Sequence, residues 1–145
     1  MDSEAYNINF HEVDKEVPRG LNEKYIKWLK KLIEKEGFSL VELNYIFCSD
    51  EYLLHVNQQY LHHDFYTDII TFDNSDKEFE IEGDIFISVD RVKENAKELS
   101  VPFSTELKRV MSHGVLHLCG YGDKTKEEIE LMRKKENEAI KGFKS

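Results

Sequence analysis

The stretch STELKRVMSHGVLHLCGYGD, residues 104–123, contains both a long apolar helix pattern and the most reactive side chains of this chain. Its apolar residues recur at helical spacing, which predicts a helix from Ser104 to about Cys119. The predicted apolar face consists of Leu107, Val110, Met111, Gly114 and Leu118. A separate polar stripe consists of Glu106, Arg109, His113 and His117. A polar stripe that borders the core side of a helix indicates a lined cleft.

His113 and His117 are four residues apart, and side chains at that spacing lie one turn apart on the same helix face. Two imidazoles placed in this way can converge on one metal ion. Gly120 and Gly122 let the chain leave the helix and fold back, and Asp123 then brings an oxygen ligand. Two histidines, a carboxylate and an open position are the ligand set of a catalytic zinc. We therefore predict a metal site, with zinc as the expected ion; the alternative is two partly buried histidines bonded to the backbone.

Asp123 is available as a ligand because another residue is better placed to cap the following helix. Thr125 and Glu128 form a capping-box pattern at the start of that helix. Cys119 is a rival ligand by residue type. It lies two residues after His117 and points elsewhere on the helix, so we predict that it is a core residue.

The rest of the chain alternates between strand and helix patterns. Period-two alternation predicts strands at residues 6–10, 41–47 and 79–87, and a short run rich in β-forming residues predicts another at residues 68–72. Ser49 and Ser88 are predicted to cap helices, the first of which directs Leu53, Val56 and Tyr60 inward. The order β-α-β-α-β-β-α-α-α predicts an α+β fold, in which a small mixed four-stranded sheet packs against about five helices with the metal site at the end of a central helix.

Composition limits the class of protein. The chain has 145 residues, enough for the single domain that we predict over residues 1–145. A formal charge of −9 argues against a broad DNA-binding face but allows a small basic cleft. The chain lacks a membrane-length apolar stretch and a secretory signal pattern, and its two cysteines are too few for a disulfide framework. We therefore expect a cytoplasmic protein with no membrane or DNA partner.

Several segments, in order, resemble one known family. Residues 113–121, HGVLHLCGY, resemble the H-G-x-L-H-L-x-G-Y signature of the YbeY family. Residues 57–60 and 67–72, NQQY and TDIITF, resemble its L-N-x-x-Y-R…T-D-V-L-S-F block. Residues 83–88, GDIFIS, resemble its G-D-I-x-I-S strand. The resemblance implies a bacterial zinc-dependent endoribonuclease, whose partners are ribosomal RNA and the small ribosomal subunit and whose task is maturation of the rRNA 3′ end.

Two positions depart from the family pattern. The family signature usually has a third histidine ligand where this chain has Asp123, a harder ligand that could broaden metal choice toward manganese or iron. The family generally has an arginine where this chain has Leu61. His62, His63 or Arg109 are candidates to replace that arginine.

Hydrolysis is the reaction expected of such a metal, because a bound cation lowers the pKa of water toward about 7. Zinc proteases of the H-E-x-x-H type have a glutamate base where this chain has Gly114, which disfavours a protease. The general base remains open between Asp68 and His63. Asp68, His63 and Arg109 are thus the candidate catalytic residues; a turn hydrogen bond for Asp68 and a solvated loop for His63 are the alternatives.

The sequence is compatible with three different functions. The first is a metal-dependent endoribonuclease acting on single-stranded rRNA precursors, as the resemblance implies. The second is a metal-dependent hydrolase of a peptide or small ester. The third is a ribosome-associated module with a structural metal, for which a docking surface on the first helix would consist of Lys24, Lys27, Lys30, Lys31 and Lys35.

Overall fold

The computed structural model describes residues 7–144, and Tyr6 of the first predicted strand lies outside that range. Within the range the strands are β1 (Ile8–Glu12), β2 (Ser39–Cys48), β3 (Ile69–Asp73) and β4 (Glu80–Ser88). The helices are α1 (Glu23–Lys35), α2 (Asp50–Leu61), α3 (Val89–Leu99), α4 (Phe103–Leu118) and α5 (Lys126–Lys141). None of these helices is long and apolar enough to cross a membrane.

The strands form one mixed sheet in the order β1-β2-β4-β3. β1 runs parallel to β2 and β2 runs parallel to β4, whereas β3 runs antiparallel to β4. In this register Ile85 lies between Tyr45 of β2 and Thr71 of β3. The predicted α+β fold, with a mixed four-stranded sheet and five helices, is confirmed.

Side-chain caps begin three of the helices at the predicted positions. The side chains of Ser49, Ser88 and Thr125 each accept a hydrogen bond from a backbone N–H in the first turn of α2, α3 and α5. These N–H groups have no partner within their own helix, so a polar side chain before the first turn stabilises the helix start.

The two faces of the sheet pack into two cores of unequal size. The larger core lies on the face that includes Ile85, and α1, α3, α4 and α5 contribute to it. The smaller core includes Ile70 of β3 and is covered by Leu53 and Val56 of α2. Phe86 packs against the smaller core although it follows Ile85, because successive residues of a strand point to opposite faces.

α4 packs closely on the sheet at Gly114. A β-carbon at this position would lie 2.8 Å from Cδ1 of Ile85 and 3.1 Å from Cδ1 of Ile69. One turn earlier, the hydroxyl of Tyr45 donates a buried hydrogen bond of 2.9 Å to the carbonyl of Met111. These contacts fix the helix against the sheet and so determine where its polar stripe reaches the surface.

Two aromatic residues do not lie where the alternation predicted. Tyr60 was predicted to face inward but is 70% exposed, because the smaller core ends at Val56 and the last turn of α2 extends beyond it. Phe79 was predicted to begin the last strand. It has a φ of 63° and is largely exposed, so the chain turns there and β4 begins at Glu80. Both predictions are wrong because periodicity does not show where the buried surface ends.

Candidate metal centre

The turn after α4 carries Asp123 back beside the helix. Gly120 has a φ of 105°, a left-handed conformation that glycine adopts without steric cost. Glu128 of α5 closes the turn, since its Oε1 accepts hydrogen bonds from the backbone N–H groups of Lys124, at 3.2 Å, and Thr125, at 2.9 Å. The predicted capping box therefore also holds the segment that contains Asp123.

His113 is half-buried and lies between two carboxylates. Its Nδ1 lies 2.7 Å from Oε2 of Glu136, and its Nε2 lies 3.4 Å from Oδ2 of Asp123. Burial by itself would lower the pKa of His113. The hydrogen bond and charge of Glu136, with the charges of Asp123 and Asp68, outweigh burial and raise that pKa. The ring is thus held by Glu136 with Nε2 directed toward Asp123.

His117 is exposed one turn further along α4, and its ring lies parallel to that of His113. The ring centroids are 6.4 Å apart and the ring planes differ by 5°. Nδ1 of His117 lies 3.1 Å from the carbonyl oxygen of Tyr121, so Nδ1–H donates this hydrogen bond and Nε2 lies on the other side of the ring. The hydroxyl of Tyr121 donates in turn to Glu36 at 2.6 Å, which anchors the turn to the end of α1.

The predicted ligands are neighbours, and their chemistry fits a divalent cation. Both histidines are held through Nδ1, the arrangement in which a second group fixes the ring while Nε2 faces a metal. Asp123 places an exposed carboxylate beside Nε2 of His113. Within residues 7–144, no three histidine, cysteine, aspartate or glutamate side chains are already spaced to hold a metal ion. Coordination by His113, His117 and Asp123 therefore stays a prediction.

A buried network of charges lies behind His113. Nε of Arg109 donates to Oε1 of Glu106 at 2.8 Å, Nη2 contacts the other oxygen of Glu106, and Nη1 donates to Oε1 of Glu136 at 3.3 Å. Glu106 and Glu136 are 1% and 2% exposed, and burying such charges is costly unless they are paired. The hydrogen bond to Glu106 contributes most to raising the pKa of Arg109, so the guanidinium remains charged.

Asp68 joins the same network from the start of β3. Its Oδ2 lies 3.8 Å from Nη2 of Arg109 and accepts a hydrogen bond of 3.3 Å from Nδ2 of Asn95. Burial raises the pKa of the Asp68 carboxyl, and the charges of Arg109 and His113 oppose that rise. The structure therefore connects two of the three predicted catalytic residues, Asp68 and Arg109, to the predicted metal ligands.

His63 is the predicted site residue that the structure places apart. Its ring stacks on Phe65, with centroids 5.2 Å apart and an angle of 21° between the planes. Its backbone N–H donates to the carbonyl of Asn57 at 3.1 Å. In the described part of the chain its contacts are with this loop and with α2, and not with Asp68 or the α4 histidines.

Glu136 is the residue that the sequence reasoning missed. It joins His113 to Arg109, although it lies on a different helix from both. The buried residues of α5 are Met132, Glu136 and Ala139, which share one helix face. A carboxylate at a core position of an amphipathic helix is the sequence signal that would have identified Glu136, because charged residues are almost never fully buried without a partner.

The candidate centre is open to solvent on one side, since both His117 and Asp123 are exposed. A groove of about 550 Å³ lies elsewhere, between α1 and α5, and its lining includes Trp28, Lys35 and Ala139 but none of the predicted site residues. Small molecules usually bind in enclosed cavities of that size.

Two histidines on the central helix and a carboxylate just beyond its end are typical of metal-dependent hydrolases. This α+β protein is therefore a candidate member of that class. The family model described as endoribonuclease YbeY matches residues 7–144. The chain therefore belongs to the YbeY family.

Individual relatives agree with this assignment. Endoribonuclease YbeY of Cytophaga hutchinsonii is 58% identical over 113 residues, which are 78% of this chain and 79% of that protein. Endoribonuclease YbeY of Flavobacterium psychrophilum is 53% identical over 133 residues, which are 92% of this chain and 93% of that protein. The solution structure of TM1509 from Thermotoga maritima has a TM-score of 0.67 and 28% identity, and the match covers 94% of this chain and 88% of that one.

Proposed function

We propose that this protein is a metal-dependent endoribonuclease that cleaves phosphodiester bonds of single-stranded RNA. Its proposed substrate is the small-subunit rRNA precursor, whose 3′ end it would mature during ribosome biogenesis in the cytoplasm. Membership in a family whose members are named endoribonuclease supports RNA as the substrate class. The proposed cofactor is one zinc ion per chain, held by His113, His117 and Asp123.

One observation carries this proposal. The rings of His113 and His117 are parallel, each is held through Nδ1, and the carboxylate of Asp123 lies beside the first of them. Histidines held in this way present Nε2 as a ligand, and the exposed side of the centre leaves room for a substrate. A bound cation would supply polarisation of a phosphoryl oxygen and a lowered pKa for water.

Residues around the centre would orient the proposed metal ligands and accept a proton during the reaction. Of the two candidate bases we favour Asp68, because its carboxyl belongs to the network of the site whereas His63 stacks on Phe65. A base is most effective when its pKa lies near the working pH, and burial moves the pKa of Asp68 in that direction. Arg109 is engaged by carboxylates, so we assign it a positioning role toward Glu136 and Asp68.

The test is cleavage of a labelled rRNA precursor by the purified full chain reconstituted with zinc. The double variant His113→Ala, His117→Ala should lose both the bound zinc and the cleavage. His55→Ala is the matched control, since His55 is an exposed histidine on α2, and it should retain both. Cleavage that persists in the double variant would refute the proposal.

The remaining outcomes separate the other functions. Absence of bound metal in the purified protein would exclude both hydrolase functions. Hydrolysis of a peptide or small ester without RNA cleavage would favour a different hydrolase. Unchanged rRNA ends in cells that lack the protein, together with failed ribosome assembly, would favour a ribosome-associated module.

A further inference from the structure

An exposed aromatic patch lies between α2 and β3. Tyr60, Phe65 and Tyr66 are 70%, 57% and 47% exposed, and Leu61 lies beside them in the sequence. Tyr60 lies against Phe72, and Tyr66 lies beneath the guanidinium of Arg91. Phe65 and His63 stack on each other, and this stacked pair is the aromatic patch.

The loop backbone that presents Phe65 is held by a buried amide. Nδ2 of Asn57, a residue that is 2% exposed, donates to the carbonyl of Phe65 at 2.9 Å. The carbonyl of Asn57 accepts the backbone N–H of His63. The stacked rings of His63 and Phe65 are therefore attached to a backbone that is fixed to α2, and the platform is formed before any ligand arrives.

The patch precedes Asp68 of the candidate site by only a few residues in the chain. Phe65 and Asp68 are three residues apart, so their Cα atoms are separated by no more than about 11 Å. This span corresponds to about three stacked bases at a rise of roughly 3.4 Å each. Asp68 contacts Arg109 of the network behind His113. A strand of RNA at the centre would thus reach the patch within a few nucleotides.

The charges around the patch favour bases over phosphates. Asp64 accepts a hydrogen bond from Gln58 at 2.5 Å, and Glu51 accepts one from the hydroxyl of Tyr66 at 2.6 Å. The guanidinium of Arg91 lies over the Tyr66 ring, 5.5 Å from its centroid, and offsets the charge of Glu51. The carboxylate of Asp64 is therefore the one that would repel a phosphate backbone. The flat face of an unpaired base can still stack on an aromatic ring, because stacking does not depend on net charge.

We propose that Phe65, with His63 stacked on it, forms a subsite that stacks an unpaired nucleobase of the RNA within a few nucleotides of the scissile phosphate. This inference rests on the proposed function, because it deepens the account of the same substrate. His63 is then a substrate-binding residue and not the general base.

The test is binding of a fluorescein-labelled single-stranded oligouridine to the full chain, measured by anisotropy. His117→Ala is present in every protein so that the probe stays intact. Phe65→Ala should weaken binding roughly 5- to 150-fold, the range measured for loss of one base–aromatic stack. Phe65→Trp should bind like the parent protein. Phe65→Leu should behave like Phe65→Ala, because leucine is apolar but has no ring face.

Two controls make the test specific. Phe79→Leu changes another exposed aromatic residue, in the turn before β4, and should leave binding unchanged. A probe of the same length whose central nucleotides are abasic keeps the phosphates and should bind to the parent protein as weakly as oligouridine binds to Phe65→Ala. Circular dichroism should show that every variant is folded, since Phe65 is exposed.

The outcomes separate this proposal from the proposed function. Unchanged affinity in Phe65→Ala, or full affinity in Phe65→Leu, would overturn the stacking subsite even if the protein cleaves RNA. Binding that depends on Phe65 in a protein that does not cleave RNA would support the subsite and refute the nuclease. Tight binding of the abasic probe would also overturn the subsite.

Discussion

Glu136 contacts both His113 and Arg109, and these contacts account for a carboxylate in the core-facing row of α5. One oxygen holds the histidine ring and the other holds the guanidinium. Burial of the carboxylate is tolerated because positive or proton-donating groups face both oxygens. The orientation of the proposed metal ligand therefore depends on a residue that would not touch the metal.

We expect Glu136→Gln to weaken zinc binding about 10- to 100-fold, because the amide keeps the shape but loses the charge that holds the ring of His113. The measurement is zinc affinity by competition with a chelator of known strength. Glu138→Gln is the matched control, since Glu138 is exposed on the same helix, and it should bind zinc like the parent protein. Equal loss in both variants would show that Glu136 acts through general stability.

Asp123 is the one carboxylate among the three proposed metal ligands, and we expect it to set metal preference. Asp123→His should increase selectivity for zinc over manganese, because nitrogen is a softer ligand than a carboxylate oxygen. The measurement is the ratio of the zinc and manganese dissociation constants. Asp123→Ala should weaken the binding of both metals. An unchanged ratio in Asp123→His would indicate that Asp123 is not a ligand.

Among the elements, β4 is approached closely from two sides at Gly83, by β3 and by the end of α4. A β-carbon there would lie 2.6 Å from the backbone oxygen of Phe72 and 3.3 Å from Cδ1 of Leu118. The carbonyl belongs to the neighbouring strand and cannot rotate away as a side chain would. The absence of a side chain at Gly83 therefore brings β3 and α4 together at one point of β4.

We expect Gly83→Ala to lower the free energy of unfolding by about 1–3 kcal/mol, the usual cost of overpacking. Urea denaturation followed by the fluorescence of Trp28 measures this change, since Trp28 is the one tryptophan of the chain. Gly142→Ala is the matched control. Its φ is −76° and the nearest atom would be 3.4 Å away, so it should be neutral or stabilise by up to about 1 kcal/mol.

For the molecule as a whole, the unequal cores imply unequal local stability. α4 packs in the larger core beneath several helices, whereas α2 covers the smaller core through few buried side chains. Segments with little buried apolar surface open at a lower free-energy cost than the rest of the fold. The aromatic patch follows α2, so the platform and the proposed metal centre would lie on parts of the fold with different stability.

Native-state hydrogen exchange should therefore show faster amide exchange in α2 than in α4, with β2 and β4 protected like α4. Mass spectrometry of peptic fragments can measure these rates at neutral pH. Equal protection of the two helices would mean that the protein opens only by global unfolding. It would contradict the difference in local stability that we infer from the two cores.

Much of the architecture was predictable because it depends on short-range patterns. The caps at Ser49, Ser88 and Thr125 and the order of the elements were all predicted from neighbouring residues. The outward placement of Tyr60 was not, because exposure depends on where the opposing surface ends. The organisation of residues 1–145 as one domain stays a prediction.

The pairing of His113 and His117 on one face of α4 followed from the sequence alone, because helix geometry makes residues at that spacing neighbours. The sequence also predicted that Thr125, and not Asp123, caps α5, because Thr125 and Glu128 form a capping-box pattern. Only the tertiary structure could show that Glu136 holds His113, and that His63 faces Phe65 instead of the centre. Such contacts arise from the packing of separate elements, and no local repeat in the sequence encodes the distance between two elements that meet only in the folded state.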